Sequence, residues 1–415
     1  MIPTWWPSST PWIIDDCRTV IDKLPDNSVD LILTDPPYGL HFMNKDWDKA
    51  IPGIDYWQRM LRVAKPGAHL LSFGGTRMFH RLACAIEDSG WDFRDTCMWT
   101  YSSGFPKSRN VSMAIDEEAG AERKVIGERR GQGSIPNTRG EWGLKPNTPV
   151  KITEPATKEA KEWDGYGSAL KPSWEPVLIF RKSLEGTLAA NVLKWKTGAL
   201  NIDECRVPTN DKVSTGDGMC GIDSGWDRPW KHDPDAVAAR KERVEATIEK
   251  TNTLGRWPAN LIHDGSKEVL KLFPDSDGCQ PHIINSSNKK YEGWGSITNK
   301  HGEMVGYPDI GSAARFFYCA KPSASERGDS THPTIKPLKL LEYLIRLTTR
   351  ENYVILDPFL GSGSILEACM NTRRIGLGIE IDKENEESIR QRSRVDVPKL
   401  DDFHDAPPTI RRFME

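Results

Sequence analysis

The sequence predicts an α/β fold in which two separated stretches of chain build one mostly parallel sheet. Three observations carry this expectation. Strand-like and helix-like segments alternate over residues 12–105, the same alternation returns from 311, and the chain between them is irregular. A length of 415 residues allows two or three structural units. The expected division is 12–105 and 311–395 as two halves of one domain, 106–310 as an insert, and 396–415 as a polar tail.

In order, residues 29–34 read as a buried strand and 56–63 as a helix ended by Lys65-Pro66-Gly67. Residues 68–73 form a second strand stopped by Gly74-Gly75. The helix predicted over 78–88 places Phe79, Leu82, Ala83 and Ile86 on one face. The insert is rich in Gly, Pro, Asn, Thr and Trp, with a strand-like island at 175–180 and a sustained helical period only over 235–250. A connection so long is usually functional. From 311 the predicted elements are a strand at 313–318, an amphipathic helix at 339–349, a strand at 354–356, a helix starting at 365–370 and a strand at 374–379.

Composition narrows the function classes. Lys plus Arg (56) nearly balances Asp plus Glu (59), which excludes a globally basic nucleic-acid coat but not a local basic groove. One basic stretch is visible at Arg123-Lys124, Arg129-Arg130, Arg139, Lys145 and Lys151. No run of about 18 apolar residues exists, and the N-terminus lacks a secretory pattern, so a soluble cytoplasmic protein with no membrane partner is expected. The eight cysteines are scattered without Cys-x-x-Cys spacing. They are expected to be buried free thiols rather than metal ligands.

Two segments carry chemistry. In Val354-Ile355-Leu356-Asp357-Pro358-Phe359-Leu360-Gly361-Ser362-Gly363-Ser364 a strand runs into a glycine turn and a helix, a design that brings backbone close to a ligand. Leu366 stands where a dehydrogenase fingerprint wants Gly or Ala. Glu380 follows about 20 residues later, the separation of a carboxylate that accepts ribose hydroxyls. Together these argue for an adenosine-bearing ligand.

The second segment is more specific. A buried strand ends in Asp35-Pro36-Pro37-Tyr38. Two prolines fix the backbone and remove their own donors, leaving carbonyls presented at the strand end. One carboxylate and one rigid carbonyl accept both protons of a planar exocyclic amine, and Tyr38 supplies a flat face for the ring.

Asp35-Pro36-Pro37-Tyr38 together with Phe359-Leu360-Gly361-Ser362-Gly363 resembles the S-adenosylmethionine-dependent DNA amino-methyltransferases, which modify adenine N6 or cytosine N4. Asp16-Cys17 with Leu24-Pro25-Asp26-Asn27-Ser28-Val29-Asp30, and His332-Pro333-Thr334-Ile335-Lys336-Pro337, resemble further family segments, and 174–182 resembles a late catalytic-domain strand lying within the insert. The motif order, catalytic turn before cofactor turn, is similar to the β class, in which the insert is the target-recognition region. The resemblance implies a Rossmann-like, circularly permuted methyltransferase domain of bacterial or phage type.

The resemblance also implies roles. Asp35, Pro36, Pro37 and Tyr38 would act on a flipped adenine in double-stranded DNA. For S-adenosylmethionine, Asp16 would face the adenine side, Glu380 the ribose, and Phe359, Gly361 and Gly363 the methionine side. Thr334 and Lys336 would lie close by, and Asp35, Cys17, Asp357 and Ser364 complete the expected cofactor set. Asp in the first motif position leans towards adenine N6; cytosine N4, or a DNA-binding homologue without catalysis, are the alternatives. Cytosine C5 chemistry needs a Pro-Cys nucleophile, and no cysteine here follows proline. Homodimerisation is a family habit, and a cognate restriction endonuclease is unknown. In the insert, Lys194-Trp195-Lys196, Arg228-Pro229-Trp230-Lys231, Gly255-Arg256-Trp257-Pro258 and Lys289-Lys290-Tyr291 interleave cations with aromatics. Most of these tryptophans are expected to build small local cores, and His263-Asp264 to be a strand-end turn.

Overall fold

The computed structural model describes residues 2–39, 50–104, 108–130, 149–209, 232–277, 282–283, 304–305, 310–320 and 336–393. Nine strands form one mixed sheet: β1 (Trp12–Ile14), β2 (Val29–Thr34), β3 (Ala64–Phe73), β4 (Asp92–Thr100), β5 (Trp174–Arg181), β6 (Leu261–His263), β7 (Tyr318–Cys319), β8 (Val354–Asp357) and β9 (Ile375–Glu380). Their spatial order is β1-β9-β8-β2-β3-β5-β4-β6-β7. The first five in that order run parallel, and β5 enters antiparallel to both β3 and β4. The α/β expectation is met, with a Rossmann-like sheet whose strands come from both ends of the chain and from the stretch between them.

The side-chain period of 2 sorts the central strands onto two faces. Leu31, Leu33, Leu71, Phe73, Val177, Ile179 and Ile355 pack on one side, and Ile32, Leu70, Leu178, Phe180 and Leu356 on the other. Helices α1 (Cys17–Ile21), α2 (Ile54–Val63) and α3 (Phe79–Asp88) cover the second face through Val20, Ile21, Trp57, Met60, Val63, Leu82 and Ile86. On the first face lies α9 (Leu338–Thr348), which follows α4 (Val111–Glu118), α5 (Lys158–Glu162), α6 (Leu188–Trp195), α7 (Pro234–Leu254) and α8 (Lys267–Leu270), with 3-10 turns at Asp203–Cys205 and Ala313–Phe316. Seven of the eleven α9 residues are buried, including Leu340, Leu341, Leu344, Ile345 and Thr348 of the expected apolar face, while Lys339, Glu342 and Arg346 form the polar side of this amphipathic helix. Helices α10 (Ser364–Asn371) and α11 (Glu386–Ser393) follow β8 and β9.

Several sequence expectations need adjustment. Residues 313–318 are not a strand. Ser312 caps a 3-10 turn, Ala313–Phe316, by accepting from the Ala314 N–H, and only Tyr318–Cys319 joins the sheet. The insert supplies β5, the strand expected near 174–182, and holds more regular structure than its composition implied: β6 also enters the sheet, and an antiparallel pair, Val125–Arg130 with Pro149–Thr153, stands apart from it. Short elements of this kind lack the sustained period that sequence reading needs. Among the described residues four cysteines are buried, but Cys84 and Cys319 are exposed. No helix among them is long and apolar enough to cross a membrane, and no His/Cys/Asp/Glu group is placed to hold a metal ion.

Candidate active site

Strand β8 has β9 on one side and β2 on the other, so the chain direction of travel across the sheet reverses between β8 and β2. In open α/β sheets ligands bind at the carboxyl ends of strands flanking such a switch point. Here both chemical motifs meet at that place. Register pairs Ile355 with Leu31 and Leu356 with Ile32, which sets Asp357 beside the end of β2. The Thr34 hydroxyl donates to Asp357 Oδ1 at 2.7 Å, joining the two motifs across the switch point.

Around Asp35 the structure gathers four side chains. The Tyr38 hydroxyl donates to Asp35 Oδ1 at 2.6 Å, and the Lys336 ammonium donates to Oδ2 at 2.7 Å. Glu175 of β5 lies 3.1 Å from the same ammonium and accepts from the Tyr101 hydroxyl at 3.0 Å. Burial pushes the Lys336 ammonium towards its neutral form, but Asp35 and Glu175 outweigh this and its net direction is up. Burial, then the negative charge of Asp35, holds the Tyr38 phenol well above its usual range, so it stays a proton donor. A Cβ on Gly75 would stand 2.9 Å from the Tyr38 ring, which shows how closely the backbone approaches it. Pro36 is buried and Pro37 half-buried.

The second cluster surrounds the glycine turn. Asp357, 1% exposed, accepts from Thr34 and from the Phe359 N–H at 3.0 Å. Burial pushes its carboxyl up to about 7, against the pull of those two donors. Glu380 accepts from the N–H groups of Gly361 at 2.6 Å and Asp382 at 2.8 Å and from Asn385 at 3.2 Å. Burial still moves its carboxyl upward. The Phe359 ring lies 6.0 Å from Tyr56 and 6.4 Å from Trp57. Asp16 caps α1, pairs with Arg18 at 2.6 Å, and follows β1, whose Ile14 is in register with Glu380. Arg18 in turn sits 5.0 Å over the Tyr56 ring.

The expected cofactor residues divide accordingly. Asp16, Asp357, Phe359, Gly361, Gly363 and Glu380 are assembled at one end of β1, β9 and β8. The Cys17 side chain instead packs into the apolar layer under α1, and burial pushes its thiol up to about 12. The Ser364 hydroxyl accepts from Arg392 at 2.9 Å. Lys336 is at the Asp35 cluster, and Thr334 lies outside the described residues. Sequence reading missed Thr34, Tyr56, Tyr101 and Glu175. A carboxylate inside the otherwise apolar β5 was a signal for Glu175; the other three carried none.

The turn itself depends on glycine. Gly363 has φ +86°, and a Cβ there would meet the Ile389 backbone of α11 at 3.1 Å. Gly363→Ala should therefore cost about 1–3 kcal/mol. Urea unfolding of the variant checks this, and an unchanged midpoint would mean that α11 yields.

Outside this site, His263-Asp264 is the strand-end turn expected from the sequence: Asp264 accepts from the Ser102 and Ser266 N–H groups, and the Gly265 N–H meets His263 Nδ1. The tryptophan-core expectation is not met among the described residues. Trp257 is 64% exposed under Arg206, and Trp195 is half-buried beside Lys194 with its N–H on Glu185. Lys194 lies 5.3 Å over the Trp195 ring and Arg206 5.4 Å over that of Trp257. Trp230 and Tyr291 fall outside the described residues.

The N6/N4 family model described as DNA methylase matches residues 29–391. Type II methyltransferase M.HindIII of Haemophilus influenzae is 22% identical over 406 residues, covering 87% of each chain. Type II methyltransferase M.HpaI of Haemophilus parainfluenzae is 43% identical over 61 residues, 15% of this chain and 19% of that protein. A solved structure, the M1.HpyAVI–SAM complex, is 16% identical over 92% of this chain and 98% of that one, with a TM-score of 0.39. That score is too low to carry weight, and the fold rests on the strand order above. The family match spans β2 with Asp35 to Tyr38 and β8 to β9 with the glycine turn, and the chain belongs to the DNA methylase family.

Proposed function

We propose that this protein transfers a methyl group from S-adenosylmethionine to the N6 amine of adenine in double-stranded DNA. The observation that carries this reading is the Asp35 carboxylate, held at both oxygens by Tyr38 and Lys336 and linked through Thr34 to the Asp357–Glu380 cluster.

The residues of the second cluster fit the cofactor. Two buried carboxyls, Asp357 and Glu380, suit a cationic amino acid moiety and a ribose diol, and the Phe359 and Tyr56 rings suit flat or apolar parts of it. When bound, S-adenosylmethionine supplies a methyl group activated by its sulfonium. The protein's task is then to make the amine nucleophilic. The lone pair of an aromatic amine is delocalised into the ring. Hydrogen bonds from its N–H groups to Asp35 and the Pro36 carbonyl favour the tetrahedral nitrogen of the transition state over the planar ground state. Asp35 needs no rearrangement for this, because its orientation is already fixed. The base reaches the site by leaving the duplex.

Cytosine N4 is the second reading, since the family model spans both amines. The test is incubation of the protein with unmethylated DNA and methyl-labelled S-adenosylmethionine, then nucleoside mass spectrometry. Labelled N6-methyladenine is expected. Labelled N4-methylcytosine would keep the chemistry and replace the base, and no label on DNA would sink the reading.

A further inference from the structure

Lys336 stands at the Asp35 cluster and not at the glycine turn. It is 8% exposed, with its ammonium 2.7 Å from Asp35 Oδ2, 3.1 Å from Glu175 Oε2, 3.4 Å from the Tyr38 hydroxyl and 4.9 Å from the Phe73 ring centre. Among the described residues no contact joins it to Asp357, Phe359, Gly361 or Glu380. A buried ammonium is costly unless carboxylates surround it. Here two do, and they come from opposite directions: Asp35 from the end of β2 and Glu175 from β5.

The consequence for Asp35 is geometric. Tyr38 occupies one lone pair of Oδ1 and Lys336 one of Oδ2. An ionised carboxylate offers about four such positions, so each oxygen keeps room for another donor while the group cannot rotate freely. We propose that Lys336 is a positioning residue of the methyl transfer, held by Glu175 so that it orients the Asp35 carboxylate towards the target amine, and not a cofactor ligand. Glu175 has a separable task. A lone cation beside the amine would oppose the positive charge that grows on the attacking nitrogen. With Glu175 at 3.1 Å, Lys336 keeps its grip on Asp35 while its field is offset. Tyr101 fixes the other oxygen of Glu175.

This inference rests on the amine methylation proposed above. Its test uses the full-length protein and three variants, Lys336→Met, Glu175→Gln and the double replacement, which removes one charge of each sign and guards against unfolding from an uncompensated carboxylate. Single-turnover transfer at saturating cofactor and DNA is measured beside the S-adenosylmethionine Kd by calorimetry. Lys336→Met should slow transfer by about 10²–10³-fold, with the cofactor Kd changed by no more than about threefold. Glu175→Gln should also slow transfer at an unchanged Kd. The double variant should be faster than the product of the two losses, because the pair acts as a unit. A Kd weakened in proportion, with an unchanged rate at saturation, would make Lys336 a cofactor ligand and overturn the assignment. Strictly multiplicative losses would remove Glu175 from it. If the wild-type protein methylates DNA and Lys336→Met does so equally well, only the positioning role fails. If the wild type methylates no DNA, the parent reading fails and this one with it.

Discussion

Asp35→Ala should lower single-turnover methyl transfer by at least about 10³-fold, the scale of removing a principal charged group from a preorganised site. Binding of S-adenosylmethionine should stay within a few-fold of wild type. The structure explains why the two effects separate. Asp35 interacts with Tyr38 and Lys336, whereas the glycine turn is organised by Asp357 and Glu380. Lys336 would keep Glu175 as a partner in the variant, so no buried cation is stranded. Stopped reactions with labelled cofactor and calorimetry give both numbers. Transfer retained within tenfold would refute the amine-acceptor role, and a collapsed cofactor Kd would place Asp35 in the other cluster.

Asp357→Asn should produce a second large effect, with opposite signs for stability and binding. Burial raises the folded-state pKa of Asp357 from 3.8 to about 7. A group raised in this way contributes stability that is fully present below pH 3.8 and is lost as pH rises through about 7. At pH 8 the ionised, buried carboxylate is a burden on the cofactor-free protein, on the order of 4 kcal/mol at most. Asparagine keeps an oxygen for Thr34 and Phe359 without the charge. The variant should therefore melt higher than wild type at pH 8, by a smaller margin at pH 5, and about equally below pH 3.8. A cationic ligand reverses the balance, since it favours the ionised form. Wild-type affinity for S-adenosylmethionine should thus rise about tenfold from pH 6 to pH 8, while the variant binds weakly at both. A wild-type Kd independent of pH would show that no cation is seated by Asp357.

The amino-acid sequence determined the local parts of this site. Buried strands ending in Asp-Pro-Pro-Tyr and in a glycine turn are consequences of a few adjacent residues. Proline rigidity and the positive φ of Gly361 and Gly363 act over one turn of chain. The alternating strands 29–34, 354–356 and 374–379, and the helix faces at 56–63 and 78–88, were legible for the same reason: their signals are periodic and short-range. Residues 313–318 were misread because a Ser312 cap competes locally with an apolar, aromatic run that looks like strand.

Tertiary structure alone decided how the parts combine. Asp35 and Lys336 are separated by 301 positions, and Thr34 and Asp357 by 323. Only the β8–β2 pairing brings the latter together, and only the antiparallel entry of β5 between β3 and β4 delivers Glu175 to the ammonium. Lys336 reads as part of a cofactor segment from its neighbours in sequence. Its surroundings in the fold follow from charge: a buried ammonium settles where two carboxylates can offset its desolvation, and that place exists only once the sheet has formed.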